Sequence, residues 1–338
     1  MKSNLEKLRN CPHVVILGAG ASVAAIPNGD KYGRKISVMN GFIDNLGMRD
    51  ILSGIKFKSE NLEDVYSELS SHKEYDVIRQ QLECRIHDYF VDFQIPDEPT
   101  IYDLLLLSLK GKDIVASFNW DPLLIQAWYR VRKITENLPQ ILFLHGNVWL
   151  QLCYNDKKTF FCRDPWVCKE CDSFMTPSRL LYPVRQKDYN SDPFVKNQWD
   201  VLRYNLRQAY IVTIFGYSAP STDVEAKQLL LDAWGGGDNR KLEQIEIIDI
   251  KTEDELRGTW DDFIFTHHYE THSTFYDSLI ARSPRKSTED TFDCLMNCKW
   301  LDFSYKLSPE MSWDQVKEHF RPILSDENAL DCEVQNEK

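Results

Sequence analysis

Four consecutive apolar residues, Val14-Val15-Ile16-Leu17, run without a break into Gly18-Ala19-Gly20-Ala21-Ser22. A β-branched run with no polar alternation must be buried on both faces, as an interior strand of a parallel sheet is. Small residues directly after it permit a tight strand-to-helix turn and the close approach of another backbone. The strand pattern returns at Asp113-Ile114-Val115-Ala116-Ser117-Phe118, at Gln140–Leu144, at Tyr210–Phe215 and at Ile245–Ile250, the last strand legible in the chain. Helical segments fall between them: Leu62–Phe93, Ile101–Leu109, Leu123–Arg132, Phe194–Ala209 and Thr222–Trp234, the last broken by Gly235-Gly236-Gly237. Strands alternating with helices predict an α/β fold, a doubly wound, Rossmann-like parallel sheet covered on both faces.

Polar motifs follow the strands repeatedly. They are Gly18-Ala19-Gly20, Asn119-Trp120-Asp121, His145-Gly146, Gly216-Tyr217-Ser218 and Asp249. In open α/β sheets the ligand crevice lies outside the carboxyl ends of the strands, so these positions are expected to converge on one edge. The first turn leads into a helix whose unpaired N–H groups suit a pyrophosphate. It lacks the third glycine of the usual dinucleotide fingerprint, because Val23 stands there. Asn119 and Asp121 also serve as turn and N-cap residues, whereas His145 projects into the crevice, where a neutral imidazole can act as a base.

Composition narrows the classes. The 338 residues allow one large or two modest domains. With 40 Lys and Arg against 52 Asp and Glu, a net charge of −12 argues against nonspecific nucleic-acid binding. No run approaches the length of a membrane span, and the charged opening Met1–Asn10 is unlike a signal peptide. Nine cysteines, an odd number, fit a reduced, cytoplasmic protein.

Taken in order, Gly18–Ser22, Asn119-x-Asp121, Leu144-His145-Gly146 and Gly216-Tyr217-Ser218 resemble the motifs of sirtuin-like proteins. The stretch Tyr182-Pro183-Val184-Arg185-Gln186-Lys187-Asp188-Tyr189, followed by Trp199, is similar to the bacterial branch of that family. The resemblance covers roughly residues 12–250. It implies that Gly18, Ala19, Gly20, Ala21 and Ser22 hold the NAD pyrophosphate. Asn119 would then orient a water against the nicotinamide ribose, and Asp121 would contact the carboxamide. By the same resemblance His145 is the general base, Gly216, Tyr217 and Ser218 line the cofactor, and Asp249 approaches the adenosine ribose.

The resemblance has departures. Ala25-Ile26-Pro27-Asn28-Gly29-Asp30 keeps only Ile26 and Pro27 of the deacylase stretch that follows the glycine turn. With no acyl-lysine to attack the ribose, water is the expected nucleophile. An NAD glycohydrolase of the antiphage-defence kind is therefore implied, gated by homo-oligomerisation, a phage protein or an associated defence subunit. The alternatives are an NAD-dependent deacylase or ADP-ribosyltransferase, and a non-catalytic module that senses NAD or ADP-ribose.

Residues 1–257 are read as the catalytic domain and 258–338 as an extension of unassigned role, its tail Ser325–Lys338 frayed and acidic. The insert at about 150–180 carries the spacing of a degenerate zinc ribbon and belongs to a small second lobe. Cys168-x2-Cys171 can supply a knuckle, Cys153 a third ligand, and Cys162 or Asp156 the fourth of a structural zinc site; the alternative is a degenerate ribbon that no longer binds metal. His267, His268 and His272 are expected to be surface or capping residues, with 268 and 272 on one helix face. The tryptophans at 199, 234, 260, 300 and 313 are expected in the core.

Overall fold

A computed structural model describes residues 7, 11–37, 41–52, 54–55, 57, 59, 61–163, 167–182, 189, 191–219, 223–235, 243–264 and 268–336, with side chains as far as 327. Residues 183–188, Gly236, Gly237, His267 and the Cys332 side chain lie outside the described set.

Six parallel strands form the main sheet: β1 (His13–Leu17), β2 (Ile114–Ser117), β3 (Gln140–Phe143), β7 (Ile211–Phe215), β8 (Gln244–Ile248) and β9 (Tyr269–His272). Their spatial order is β3-β2-β1-β7-β8-β9. Counted along the sheet's own strands this is 3-2-1-4-5-6, the doubly wound order in which the winding reverses between the first and fourth strands. Here the reversal falls between β1 and β7, paired in register from His13 with Ile211 to Leu17 with Phe215. The doubly wound α/β fold expected from the sequence is the fold of the chain.

The unbroken apolar runs divide cleanly between the faces. Val15, Leu17, Val115, Phe143, Phe215 and Ile248 point into one cluster, shared with the helices Leu62–Ser71, Ile101–Leu107 and Leu123–Val131. Val14, Ile16, Ile114, Ala116, Leu142, Val212, Ile214 and Ile247 point into the other, under the helices Pro193–Gln208, Val224–Trp234 and Glu253–Trp260. Alternation within a run that is apolar throughout is what burial on both faces requires.

A smaller antiparallel sheet, β4 (Leu150–Cys153), β5 (Lys158–Phe161) and β6 (Thr176–Pro177), forms the cysteine-bearing second lobe in the order β5-β4-β6. It has its own apolar centre at Cys153, Cys168 and Met175.

Beyond Ile250 the structure contains elements that the sequence pattern does not show. The sheet does not end at Ile245–Ile250, because β9 adds a sixth strand. His268 therefore precedes a strand and His272 ends it, so the two do not share a helix face. Tyr269-Glu270-Thr271-His272 is polar because its side chains meet charged partners at a half-buried edge, so the apolar signal of a strand is missing. Phe275, Ile280, Ala281, Leu307, Val316, Phe320 and Ile323 pack into the same cluster as Val15. The tail expected to fray belongs to the helix Trp313–Asn336, whose Val316, Phe320 and Ile323 recur at helical spacing on the core. Trp199, Trp234 and Trp260 are core residues and Trp313 is half-buried, but Trp300 is fully exposed. Among the described residues no helix is long and apolar enough to cross a membrane.

Candidate active site

The turn after β1 and the turn after β7 meet at the point where the winding reverses. A Cβ on Gly18 would lie 2.5 Å from the Gly216 carbonyl oxygen, and one on Gly20 would lie 2.8 Å from the Gly216 Cα. Gly216 has φ of +60°, and its own Cβ would overlap the Ala21 nitrogen. The three glycines are thus needed for backbone-on-backbone packing. The same contact engages the amides: Gly18 N–H donates to Phe215 O at 3.0 Å and Gly20 N–H to Gly216 O at 2.9 Å. Ala19 is the exposed residue of the trio, so the turn has fewer amides to offer a phosphate than its sequence suggests.

Beside this knot a polar cluster closes around Ser22. The Ser22 hydroxyl donates to Asp121 Oδ2 at 2.7 Å, and Asn119 Nδ2 donates to Ser22 Oγ at 2.9 Å and to Gly18 O at 2.8 Å. Asp121 Oδ1 accepts the Leu123 N–H at 3.1 Å, shaping the turn that leads into the helix Leu123–Val131. Asp121 is buried with no cation among these partners, and burial pushes its carboxyl above the usual range. Asn119 and Asp121 reach this place because β2 ends at Ser117, whose Oγ accepts the Asn119 N–H at 3.0 Å and shapes the turn.

His145 follows β3 and is buried. Its Nε2 lies 3.2 Å from the Tyr189 hydroxyl, and its ring packs edge-on against Phe118 with centroids 4.7 Å apart. Phe118 in turn stacks on Tyr217 at 4.2 Å, so the β2, β3 and β7 ends share one aromatic floor. Gly146 has φ of +77° and is pressed against the Arg179 carbonyl, which leaves no room for a side chain. Asn147 Nδ2 donates to the Asp121 carbonyl at 2.6 Å, tying the His145 loop to the Asn119 loop.

The remaining positions lie further along the edge. Ser218 is exposed, and Asp249, two strands from β1, accepts the Lys251 N–H at 3.1 Å. Ser22, Asn119 and Asp121 are therefore in mutual contact, His145 is joined to them through Phe118 and Asn147, and Asp249 stands apart at the end of β8. Three residues escaped the sequence reading. Tyr102, whose hydroxyl lies 2.7 Å from Ser22 Oγ, is hidden in the apolar run of its helix. Asn147 and Phe118 sit beside recognised motifs and were separable from them only by contact.

In the second lobe the ligand atoms of Cys153, Asp156, Cys168 and Cys171 lie within 4.8 Å of one another. Of the two candidates for the fourth position, the fold brings in Asp156 and leaves Cys162 outside the quartet. Cys162 follows β5, whereas Asp156 occupies the β4–β5 turn that curls over Cys153. The Asp156 N–H donates to the Cys153 sulfur at 3.5 Å, which folds the turn over the cluster. Three thiols and one carboxylate converging in this way fit zinc, and four protein ligands would make its role structural.

No protein-family model matches the chain, and no curated protein matches it. Among solved structures, it is similar to a Sir2 homologue in complex with NAD, at 12% identity and a TM-score of 0.42 over 87% of this chain and 95% of that one. A phenylalanine-to-alanine variant of a Sir2 homologue with ADP-ribose gives 11% and 0.41, over 89% of this chain and 100% of that one. Sir2 bound to an inhibitor, 2′-O-acetyl-ADP-ribose and a deacetylated p53 peptide gives 16% and 0.36, over 88% and 99%.

Proposed function

We propose that the chain is an NAD glycohydrolase that cleaves the nicotinamide–ribose bond with water. The observation that carries this reading is the convergence of Ser22, Asn119 and Asp121 beside the β1–β7 reversal, with His145 across Phe118. In a doubly wound sheet that reversal is where a dinucleotide lies.

The chemistry asks little of the protein. The bond from the ribose C1′ to the nicotinamide nitrogen breaks, and nicotinamide leaves with the bonding pair as a neutral molecule. Water oxygen bonds to the cation-like C1′, and its surplus proton passes to His145 and then to solvent. Asn119 orients the water, Asp121 contacts the carboxamide, Ser22 fixes Asn119 and Asp121 in place, and Gly216 and Tyr217 line the crevice. Zinc at Cys153, Asp156, Cys168 and Cys171 would fix the second lobe and take no part in bond cleavage. In a bacterial cell such an activity, released on infection through an oligomer or an associated subunit, would deplete NAD as a defence.

Purified protein incubated with NAD should release nicotinamide and ADP-ribose in equal amounts. Asn119→Ala and His145→Ala should each lower the rate on the order of 100-fold or more. Equal rates in all three proteins would remove the site assignment. Turnover that requires an acyl-lysine peptide would favour a deacylase, and stabilisation by NAD without cleavage would favour a sensing module.

A further inference from the structure

Tyr102 is fully buried on the helix Ile101–Leu107, and nothing in the reaction outlined above uses it. Its hydroxyl lies 2.7 Å from Ser22 Oγ and accepts from Asn119 Nδ2 at 3.3 Å. With Asp121 as a carboxylate, counting protons fixes the direction of the first bond. Ser22 has one hydroxyl proton, which goes to Asp121, so Tyr102 donates to Ser22 Oγ. Ser22 Oγ then accepts from Tyr102 and from Asn119, and its capacity is filled.

The same count orients Asn119. The Gly18 carbonyl can only accept, so the atom 2.8 Å from it is the amide nitrogen; a flipped amide would set two oxygens against each other. Both Nδ2 protons are engaged, one by Gly18 O and the other by Ser22 Oγ and Tyr102 Oη. Oδ1 has no hydrogen-bond partner among the described residues, which leaves it as the group able to accept a hydrogen bond from water.

We infer that Tyr102 is a positioning residue for Asn119, holding its amide nitrogen through Ser22 so that Oδ1 is presented to the attacking water. This rests on the NAD-cleaving reading. The helix that delivers Tyr102 is itself held at both ends. Thr100 and Asp103 form a capping box, Arg130 pairs with Asp103, and the Arg285 guanidinium donates to Leu107 O at 3.1 Å and Leu109 O at 2.8 Å. The hydroxyl is therefore fixed relative to Ser22 by elements from three parts of the chain.

The decisive variant is Tyr102→Phe, which keeps the ring in its packing and removes one oxygen. Its kcat for nicotinamide release should fall between about 10-fold and 100-fold, with KM for NAD changed less than about twofold. A merely structural role would not alter the choice of nucleophile, so the second readout is the ratio of ADP-ribose to its 1″-O-methyl ether in water–methanol mixtures. In the ether-forming branch the methanol oxygen bonds to C1′, nicotinamide leaves, and the hydroxyl proton is lost to the base. Loosening of Asn119 should shift that ratio toward methanol.

A third readout needs no turnover. The Asn119 side-chain amide protons, followed by nitrogen-15 NMR, should exchange slowly in the wild type and at least tenfold faster in Tyr102→Phe. Unchanged exchange together with an unchanged product ratio would overturn the inference. Faster exchange in a wild-type background that does not cleave NAD would leave the lock standing and overturn the hydrolase reading.

Discussion

Gly216 has the least latitude of the residues at the reversal. Its φ of +60° and its contact with Ala21 N mean that any side chain is both strained and overlapped. Gly216→Ala should cost at least about 2 kcal/mol of stability, read from urea unfolding, and should weaken NAD binding by moving the Gly18–Ser22 turn. Two histidines make the residue scale visible in pH. Burial and Lys112 hold His13 down at about 3, with its ring nitrogens on Ser287 Oγ and Thr213 Oγ1. Its native form stays neutral, so its contribution is complete above about 6.5 and declines as pH falls toward 3. Burial works against charge at His272 too, but Glu246 and Glu270 more than offset it and raise it to about 9. That contribution is complete below about 6.5 and is lost as pH rises through 9. Thermal melts across pH should therefore fall away on both sides of neutrality. His272→Gln should flatten the alkaline limb alone, and an unchanged limb would refute the assignment.

At the scale of elements, the second lobe is a small sheet with a thin apolar centre, so its order depends on whatever joins its four ligand side chains. Metal analysis of protein purified without chelator should find about one zinc per chain. Cys168→Ser should lose it, and Cys162→Ser should retain it because Cys162 stands outside the quartet. Loss of zinc in Cys162→Ser but not in Asp156→Ala would reverse that choice. The main strands behave differently, since β1, β2, β7 and β8 are each buried on both faces and β1, β2 and β7 announce themselves as mainly apolar runs. β9 was illegible for the opposite reason. Its stability comes from backbone pairing with β8 and from ion pairs of Glu270 and His272, which leave no apolar period to read.

Across the whole molecule, the segment after residue 257 is bound into the fold by polar contacts as well as by its apolar face. The Leu279 N–H donates to Glu246 Oε1 at 2.5 Å, Ser287 reaches His13, and Arg285 bridges Leu107, Leu109, Asn137 and Glu327. Arg285→Met should cost about 3–5 kcal/mol, because it strips a buried network of its donors and leaves Glu327 without this partner. Trp300→Ala, by contrast, should change stability by less than about 0.5 kcal/mol, since that ring is fully exposed. Chemical denaturation of the two variants side by side would separate a segment that is part of the fold from one that merely rests on it.

The sequence by itself determined five of the sheet's six strands, the positions of their ends and therefore the edge on which Ser22, Asn119, Asp121 and His145 gather. Burial on both faces demands continuous apolar runs, and such runs survive in a linear reading. Only the tertiary structure decided that Tyr102 and Asn147 join that edge, that Asp156 and not Cys162 completes the cysteine cluster, and that the chain after 257 closes the sheet. The Tyr102 and Asn147 contacts are polar and join segments far apart in the chain. A hydrogen bond has no period along a sequence, so it becomes visible only when the fold brings donor and acceptor within reach.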